Sequence, residues 1–278
     1  MSEPPAPHAS PSVSLARAVR RHCVMMCHAA AASHIGSNLS CCDLLAVLYA
    51  DRLRVRPGEP NWPDRDRLIM SKGHAAAVVY ATLAERGFFA VERLAEFCRD
   101  GSALAGHVHH DGVPGVEMST GSLGHGLPIG CGLALAARHD RSDRQVFVIL
   151  SDGECDEGTT WESALFAAHH RLGRLTAILD VNGWQSFGAT ADVLDLEPLA
   201  AKWRAFRWDV VEIDGHDHDA IRSATARAPS ADGPPRLVLA RTLKGRGVSF
   251  MEDRLLWHYK SPDDEDLHRA LAELEAGT

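Results

Sequence analysis

No stretch of this chain is apolar for long enough to cross a bilayer. A membrane helix needs about 18 or more apolar residues, and the longest convincing run, Val146 to Leu150, is only strand-sized. Basic charge is also scarce. The 29 Lys+Arg stand against 37 Asp+Glu, a formal net charge of −8, which leaves no electrostatic footprint for nucleic acid. The seven cysteines form no Cys-x-x-Cys pair: Cys23 and Cys27 sit at helical spacing, Cys41 and Cys42 are adjacent, and Cys98, Cys131 and Cys155 stand alone. This odd set excludes a disulfide framework and reads as reduced, cytoplasmic thiols buried as small hydrophobes. The N-terminus lacks the basic-then-apolar order of a signal peptide, and Pro4, Pro5, Pro7 and Pro11 mark residues 1–12 as a disordered tail. No internal repeat or low-complexity linker divides the remainder, so residues 13–278 are expected to form one domain.

The residues that are present fit that domain. A hydrophobic share of 45% and a charged share of 24% over 278 residues are those of a globular protein with a sizeable core. From Val13 to about Leu53 the pattern is helical, with Leu15, Val19, Cys23 and Met26 recurring at helical spacing. Short apolar runs then end in polar, glycine-bearing loops. They are Arg67–Met70 into Ser71-Lys72-Gly73-His74, Gln145–Leu150 into Ser151-Asp152-Gly153, and Leu175–Leu179 into Asp180-Val181-Asn182-Gly183. Trp208–Ile213 runs into Asp214-Gly215-His216, and Arg236–Ala240 into Arg241-Thr242. Because helical stretches such as Thr159–Leu172 alternate with these strands, the fold class is α/β: a mostly parallel sheet with helices on both faces. Asp263–Glu275, with Leu267, Leu271 and Leu274, reads as a terminal amphipathic helix.

In such a sheet, ligands bind beyond the carboxyl ends of the strands. Ser151-Asp152-Gly153-Glu154 and Asn182 each follow an apolar strand, and adjacent parallel strands would set the two loops side by side. A carboxylate and an amide oxygen on one ledge suit Mg²⁺, which completes its shell with substrate phosphates and water. On spacing alone, Asp152 reads equally as a helix N-cap and Asn182 as a turn residue. The sixteen histidines are the unusual feature. His107, His109 and His110 also suggest zinc, although a His-x-His-His run points neighbouring side chains in different directions.

Asp152-Gly153, Glu157-Gly158, Trp161-Glu162 and Asn182 together resemble the thiamine diphosphate motif in its transketolase form. Ser33-His34-Ile35-Gly36, Ser71-Lys72-Gly73-His74-Ala75, Gly106-His107, Ser119–Gly124 and Lys244-Gly-Arg-Gly-Val248 match that family in the same order, so the resemblance covers nearly the whole chain after residue 13. It implies that 13–278 is a thiamine diphosphate-binding domain, with Asp152, Asn182 and the backbone carbonyl of Trp184 holding Mg²⁺, for which Ca²⁺ or Mn²⁺ can substitute. Gly153 and Glu154 would lie at the diphosphate, Gly121 and Leu123 beside the cofactor, and His74 and His258 near the diphosphate and reacting end. His34 and His107 would face the substrate and exchange protons with sugar hydroxyls as imidazoles near their unperturbed pKa. The other histidines, His216 and His218 among them, are expected to be surface or structural. Three residues depart from the family pattern: Ser151 for glycine, His125 for glutamine and Tyr259 for glycine.

The family also needs a glutamate from a second, pyrimidine-binding domain, which normally follows the region matched here. The resemblance therefore implies the N-terminal subunit of a split transketolase, acting with a C-terminal subunit in a heterotetramer of two copies each on sugar or sugar-phosphate substrates. Glu157 and Glu162 resemble family acids that meet at the subunit interface. The alternatives are a subunit making deoxyxylulose phosphate or serving specialised metabolism, and a non-catalytic scaffold.

Overall fold

The computed structural model describes residues 10–227 and 230–277; residues 1–9 of the expected tail lie outside it. In chain order the elements are α1 (Pro11–Ala29), α2 (Ile35–Ser40), α3 (Cys42–Val47), β1 (Arg67–Met70), α4 (Ala76–Glu85), α5 (Gly126–His139), β2 (Val146–Ser151) and α6 (Gly158–His169). Then come β3 (Leu175–Val181), α7 (Thr190–Val193), α8 (Leu199–Ala205), β4 (Asp209–Asp214), α9 (His218–Ala224), β5 (Arg236–Arg241), α10 (Leu256–Tyr259) and α11 (Asp264–Ala276).

The first helix begins at Pro11, inside the stretch read as tail. Proline costs nothing in the first helical turn, where its missing N–H has no partner anyway, and the Ser10 hydroxyl accepts from the N–H of Val13. The single helical pattern over Val13–Leu53 resolves into α1, α2, α3 and a π turn over Leu48–Arg52. The break falls at His34, whose φ of 70° lies in the left-handed region that side chains other than glycine rarely adopt.

The five strands are all parallel, in the order β1-β2-β3-β5-β4. Helices cover both faces, which is why β2 is buried along its whole length. Leu68, Phe147, Ile149, Ile178 and Val238 point to the layer containing Val19, Leu44, Val78, Ile221 and Ala270, from α1, α3, α4, α9 and α11. Alternate residues Ile69, Val148, Leu150, Ala177 and Leu239 point to Leu127, Ala164 and Trp203, from α5, α6 and α8. The two-residue period of a strand makes this division. All seven cysteines are free; Cys98 is exposed, contrary to the expectation that every thiol is buried, because it sits in the irregular segment between α4 and α5. Among the described residues no helix is long and apolar enough to cross a membrane.

Parallel strands put all their carboxyl ends on one edge. Ser71–His74 after β1, Asp152–Gly153 after β2, Asn182 after β3 and Thr242–Lys244 after β5 therefore share a ledge.

Candidate active site

A pocket opens on this ledge, lined by His34, His74, His107, Gly121, Leu123, Ser151, Asp152, Gly153, Asn182, Trp184 and His258, with Ser37, Gln185 and Ser186 completing the wall. Asp152 is buried at its floor. One carboxylate oxygen accepts the N–H of Gly153 at 2.9 Å and the other accepts the N–H of Gly183, also at 2.9 Å. Burial pushes this carboxyl up to about 6, reinforced by the nearby Asp180 carboxylate and opposed by the two N–H groups. Asn182 lies beside it, its amide oxygen accepting from the N–H of Trp184 at 3.1 Å and its amide nitrogen donating to Asp180 at 3.2 Å. That second bond fixes which end of the amide is oxygen.

Beneath the ledge, Lys72 and Asp180 form a fully buried ion pair. Ser40 donates to Asp180 at 2.8 Å, Thr242 donates to its other oxygen, and Lys72 also donates to the Ser37 carbonyl at 3.0 Å. Burial is the largest single influence and opposes charge on both groups, but the partner's charge and the hydrogen bonds together outweigh it: the lysine is raised and the aspartate lowered from their ordinary values. The pair joins α2, β1, β3 and the loop after β5 under the pocket.

The four predicted histidines converge on the opposite wall. The ring centroid of His34 lies 5.2 Å from that of His74, 5.9 Å from His107 and 5.0 Å from His258, and His74 is 5.9 Å from His258. The left-handed backbone at His34 serves this convergence, since its N–H donates to the His258 carbonyl at 2.9 Å. His34 is not near its unperturbed pKa: burial lowers it to about 4, helped by His107 and Lys244. Burial likewise lowers His258 to about 3, with Lys244 and His34 adding to the effect, and His74 falls well below its usual value. These three rings are neutral near pH 7, so they act there as hydrogen-bonding groups and not as cations.

Glu154 does not line the pocket. It is fully buried behind it, accepting from Ser71, from the N–H of Gly124 at 3.0 Å and from the N–H of Ser151 at 2.9 Å. Its position inside the 3₁₀ turn Asp152–Asp156 turns the side chain back under β1 and β2, where it knots three loops together. His109 and His110 are 5.9 Å apart while His107 faces the pocket, and among the described residues no three His, Cys, Asp or Glu are grouped to hold a metal. Glu157 and Glu162 are exposed. His216 and His218 are half-buried and structural, in line with the expectation; both bond to buried Asp43, at 2.7 and 3.0 Å.

Sequence reasoning missed Gln185, whose amide nitrogen is buried in the pocket wall without a protein partner among the described residues. Nothing in its flanking residues marked it. Lys244 was visible as part of a motif but without a role; its ammonium lies 2.9 Å from Nδ1 of His258. Burial lowers it to about 8, opposed by Asp152 and Asp180 and helped by Lys72. Of the three departures, Ser151 lines the pocket. His125 turns outward onto the Leu123 carbonyl at 2.9 Å, and the Tyr259 hydroxyl donates to the Ser186 carbonyl at 2.6 Å across the pocket mouth.

Residues 12–272 match the family described as transketolase, thiamine diphosphate binding domain. The chain is 44% identical over 242 residues to the 6-deoxy-6-sulfo-D-fructose transketolase subunit SqwG of Clostridium sp. (strain MSTE9), covering 87% of this chain and 88% of that one. It is 39% identical over 255 residues to an apulose-4-phosphate transketolase subunit of Phocaeicola vulgatus, covering 92% and 90%. The fold superposes on transketolase from Leishmania mexicana with a TM-score of 0.90 at 29% identity, over 96% of this chain. The chain spans 42% of that longer protein. With its pocket on the ledge that the family motif predicts, and with subunit-length relatives matched almost end to end, this chain belongs to the transketolase family of transferases, as a member of its thiamine diphosphate binding domain.

Proposed function

We propose that this chain is the diphosphate-binding subunit of a two-component transketolase, transferring a two-carbon ketol unit from a ketose to an aldose with a separate pyrimidine-binding subunit. The observation that carries the reading is the pocket itself, which sets Asp152, Gly153 and Asn182 opposite His34, His74, His107 and His258.

The residues present fit a diphosphate with a divalent cation. Asp152 is a buried carboxylate whose charge has no cationic partner within bonding distance among the described residues, the condition that a bound Mg²⁺, or Ca²⁺ or Mn²⁺ in its place, relieves. Asn182 and the Trp184 carbonyl would complete the protein's share of the shell. A single carboxylate suits a metal whose remaining ligands are phosphate oxygens and water. The unpartnered amide of Gln185 would donate to the diphosphate, and Gly153 leaves the backbone open to it. Thiamine diphosphate, when bound, supplies the stabilised carbanion that lets a carbon–carbon bond break and re-form. This chain's own part is to orient: the neutral imidazoles of His34 and His258 would hold substrate hydroxyls by hydrogen bonds, and His107 stands at the open side.

Both of these shorter relatives are named for ketoses carrying an anionic group, a sulfo group in one and a phosphate in the other. The donor class is accordingly an anionic ketose. A heterotetramer with two copies of each polypeptide and a cytoplasmic location complete the proposal, the latter resting on free thiols. No observation favours a deoxyxylulose-phosphate-type enzyme or a scaffold over this reading.

Native mass spectrometry of the chain purified gently from its host tests it. A complex with a second polypeptide retaining thiamine diphosphate and a divalent metal is expected, with ketol transfer only when both polypeptides are present. Full transfer by this chain alone would overturn the two-component assignment.

A further inference from the structure

A second polar cluster lies behind the pocket and is not used by the chemistry above. Asp43 of α3 is buried and shared by Arg20 of α1, by Nδ1 of His216 at 2.7 Å and by Nε2 of His218 at 3.0 Å. The His218 Nδ1 meets the Ser12 hydroxyl at 2.9 Å. The other nitrogen of His216, Nε2, accepts the main-chain N–H of Leu243 at 2.8 Å. An N–H can only donate, so Nε2 is the bare nitrogen and the His216 proton sits on Nδ1, directed at Asp43. Buried Asp43 fixes the tautomer of His216, and His216 in turn holds Leu243.

Leu243 precedes Lys244, and the segment around them is pinned residue by residue. The N–H of Thr242 donates to the Val181 carbonyl at 3.0 Å, the Lys244 carbonyl accepts from Asp253 at 2.9 Å, and the N–H of Gly245 donates to the Gly36 carbonyl at 3.0 Å. Those bonds are backbone to backbone, whereas the tie at Leu243 comes from a side chain. From here the fully buried Lys244 side chain runs past Gly36, where an added Cβ would come within 3.0 Å of its Cγ, to reach Nδ1 of His258 at 2.9 Å. An ammonium has no lone pair, so His258 accepts at Nδ1 and carries its own proton on Nε2.

We propose that His216 is a positioning residue for the active site: by bridging Asp43 and the Leu243 N–H it holds Lys244 against His258, selecting the His258 tautomer that offers an Nε2–H to the pocket. The value of this for ketol transfer rests on the function proposed above; the tautomer relay itself does not. The arrangement resembles the way a second hydrogen bond sets the tautomer of a metal-bound or catalytic histidine, here acting through one turn of main chain.

Heteronuclear NMR of the histidine ring nitrogens in the ligand-free full chain tests it near neutral pH, with His216→Asn and His216→Gln beside the wild type. In the wild type, His216 should be the neutral Nδ1–H form and His258 the Nε2–H form. His216→Asn keeps a donor toward Asp43 but has no acceptor long enough to reach Leu243, so His258 should become a mixture of tautomers. His216→Gln restores an acceptor at that length and should restore the single form. A separate titration with thiamine diphosphate and Mg²⁺ should find about tenfold weaker binding in His216→Asn than in His216→Gln, the size expected for a buried N–H losing its acceptor. His216 found as an imidazolium or as the Nε2–H form in the wild type would overturn the relay, as would a folded His216→Gln chain that fails to restore His258. Failure of the wild type to bind thiamine diphosphate even with its pyrimidine-binding partner present would instead count against the proposed function and leave the NMR result standing.

Discussion

The carboxylate of Asp152, at the end of β2, accepts the main-chain N–H of Gly183, just beyond β3, at 2.9 Å. The bond ties the two strand ends together through the residue proposed above to bind a metal. It exists because β2 and β3 are adjacent and in register, with Ser151 opposite Asp180. Among the described residues the same carboxylate has no cation bonded to it, so the chain alone carries a buried carboxyl without a bonded counter-ion on its pocket floor.

Asp152→Asn should therefore abolish metal-dependent ligand stabilisation. With thiamine diphosphate and Mg²⁺ at about a hundredfold excess over Kd, the wild-type chain should gain about 2.7 kcal/mol of stability. Thermal unfolding with and without EDTA measures this. A shift in the variant as large as in the wild type would show that the metal is held elsewhere.

Removing one member of the Lys72–Asp180 pair leaves the other charged and sealed from water. Lys72→Met should cost about 3–5 kcal/mol, and pairing it with Asp180→Leu should recover much of the loss, because an apolar pair needs no compensation. Urea unfolding of the single and double variants decides it; equal losses in both would mean that the pair's other hydrogen bonds dominate.

The acid limb of stability should carry a contribution from His258. Its folded value of about 3 lies below the ordinary 6.5, so the unfolded chain takes up a proton in that interval that the folded chain refuses. Stability from this group is full above 6.5 and is lost as the pH falls toward 3. Between about pH 7 and about pH 5, wild type should lose about 1 kcal/mol more than His258→Gln, allowing for partial access of water through the pocket. Parallel stability curves for the two proteins across that range would contradict the assignment.

Tyr259→Phe removes the hydroxyl that spans the pocket mouth to the Ser186 carbonyl. Both ends are open to water, so global stability should change by less than about 0.5 kcal/mol. The segment carrying exposed Phe187 should instead open more often, raising its cleavage rate by chymotrypsin several-fold in limited proteolysis. An unchanged cleavage rate would mean that the Trp184–Asp253 hydrogen bond holds this segment by itself.

The parallel sheet was legible from sequence because its signals are local. A run such as Val146–Leu150, apolar throughout and ending in Ser-Asp-Gly, specifies a buried strand and a polar loop regardless of the rest of the chain. Placing Asp152 beside Asn182 needed only one further rule, that a helical crossover joins adjacent parallel strands. The histidines were legible only through family resemblance, since nothing local links His34 to His258; their convergence is a property of the folded chain. The same holds for their chemistry. Burial beside Lys244, and not the residue type, moves His34 and His258 out of the physiological range. The direction of Glu154 is likewise tertiary: sequence sets it two residues from Asp152, and the 3₁₀ turn sends it behind the wall. Asp43, His216 and Leu243 are far apart in the chain and each unremarkable alone, so their relay follows from α3, the start of α9 and the end of β5 packing at one corner. Periodicity and turn chemistry act over a few residues and set the elements and their order; burial, hydrogen-bond direction and charge arise only where distant segments meet, and these decide what the site can do.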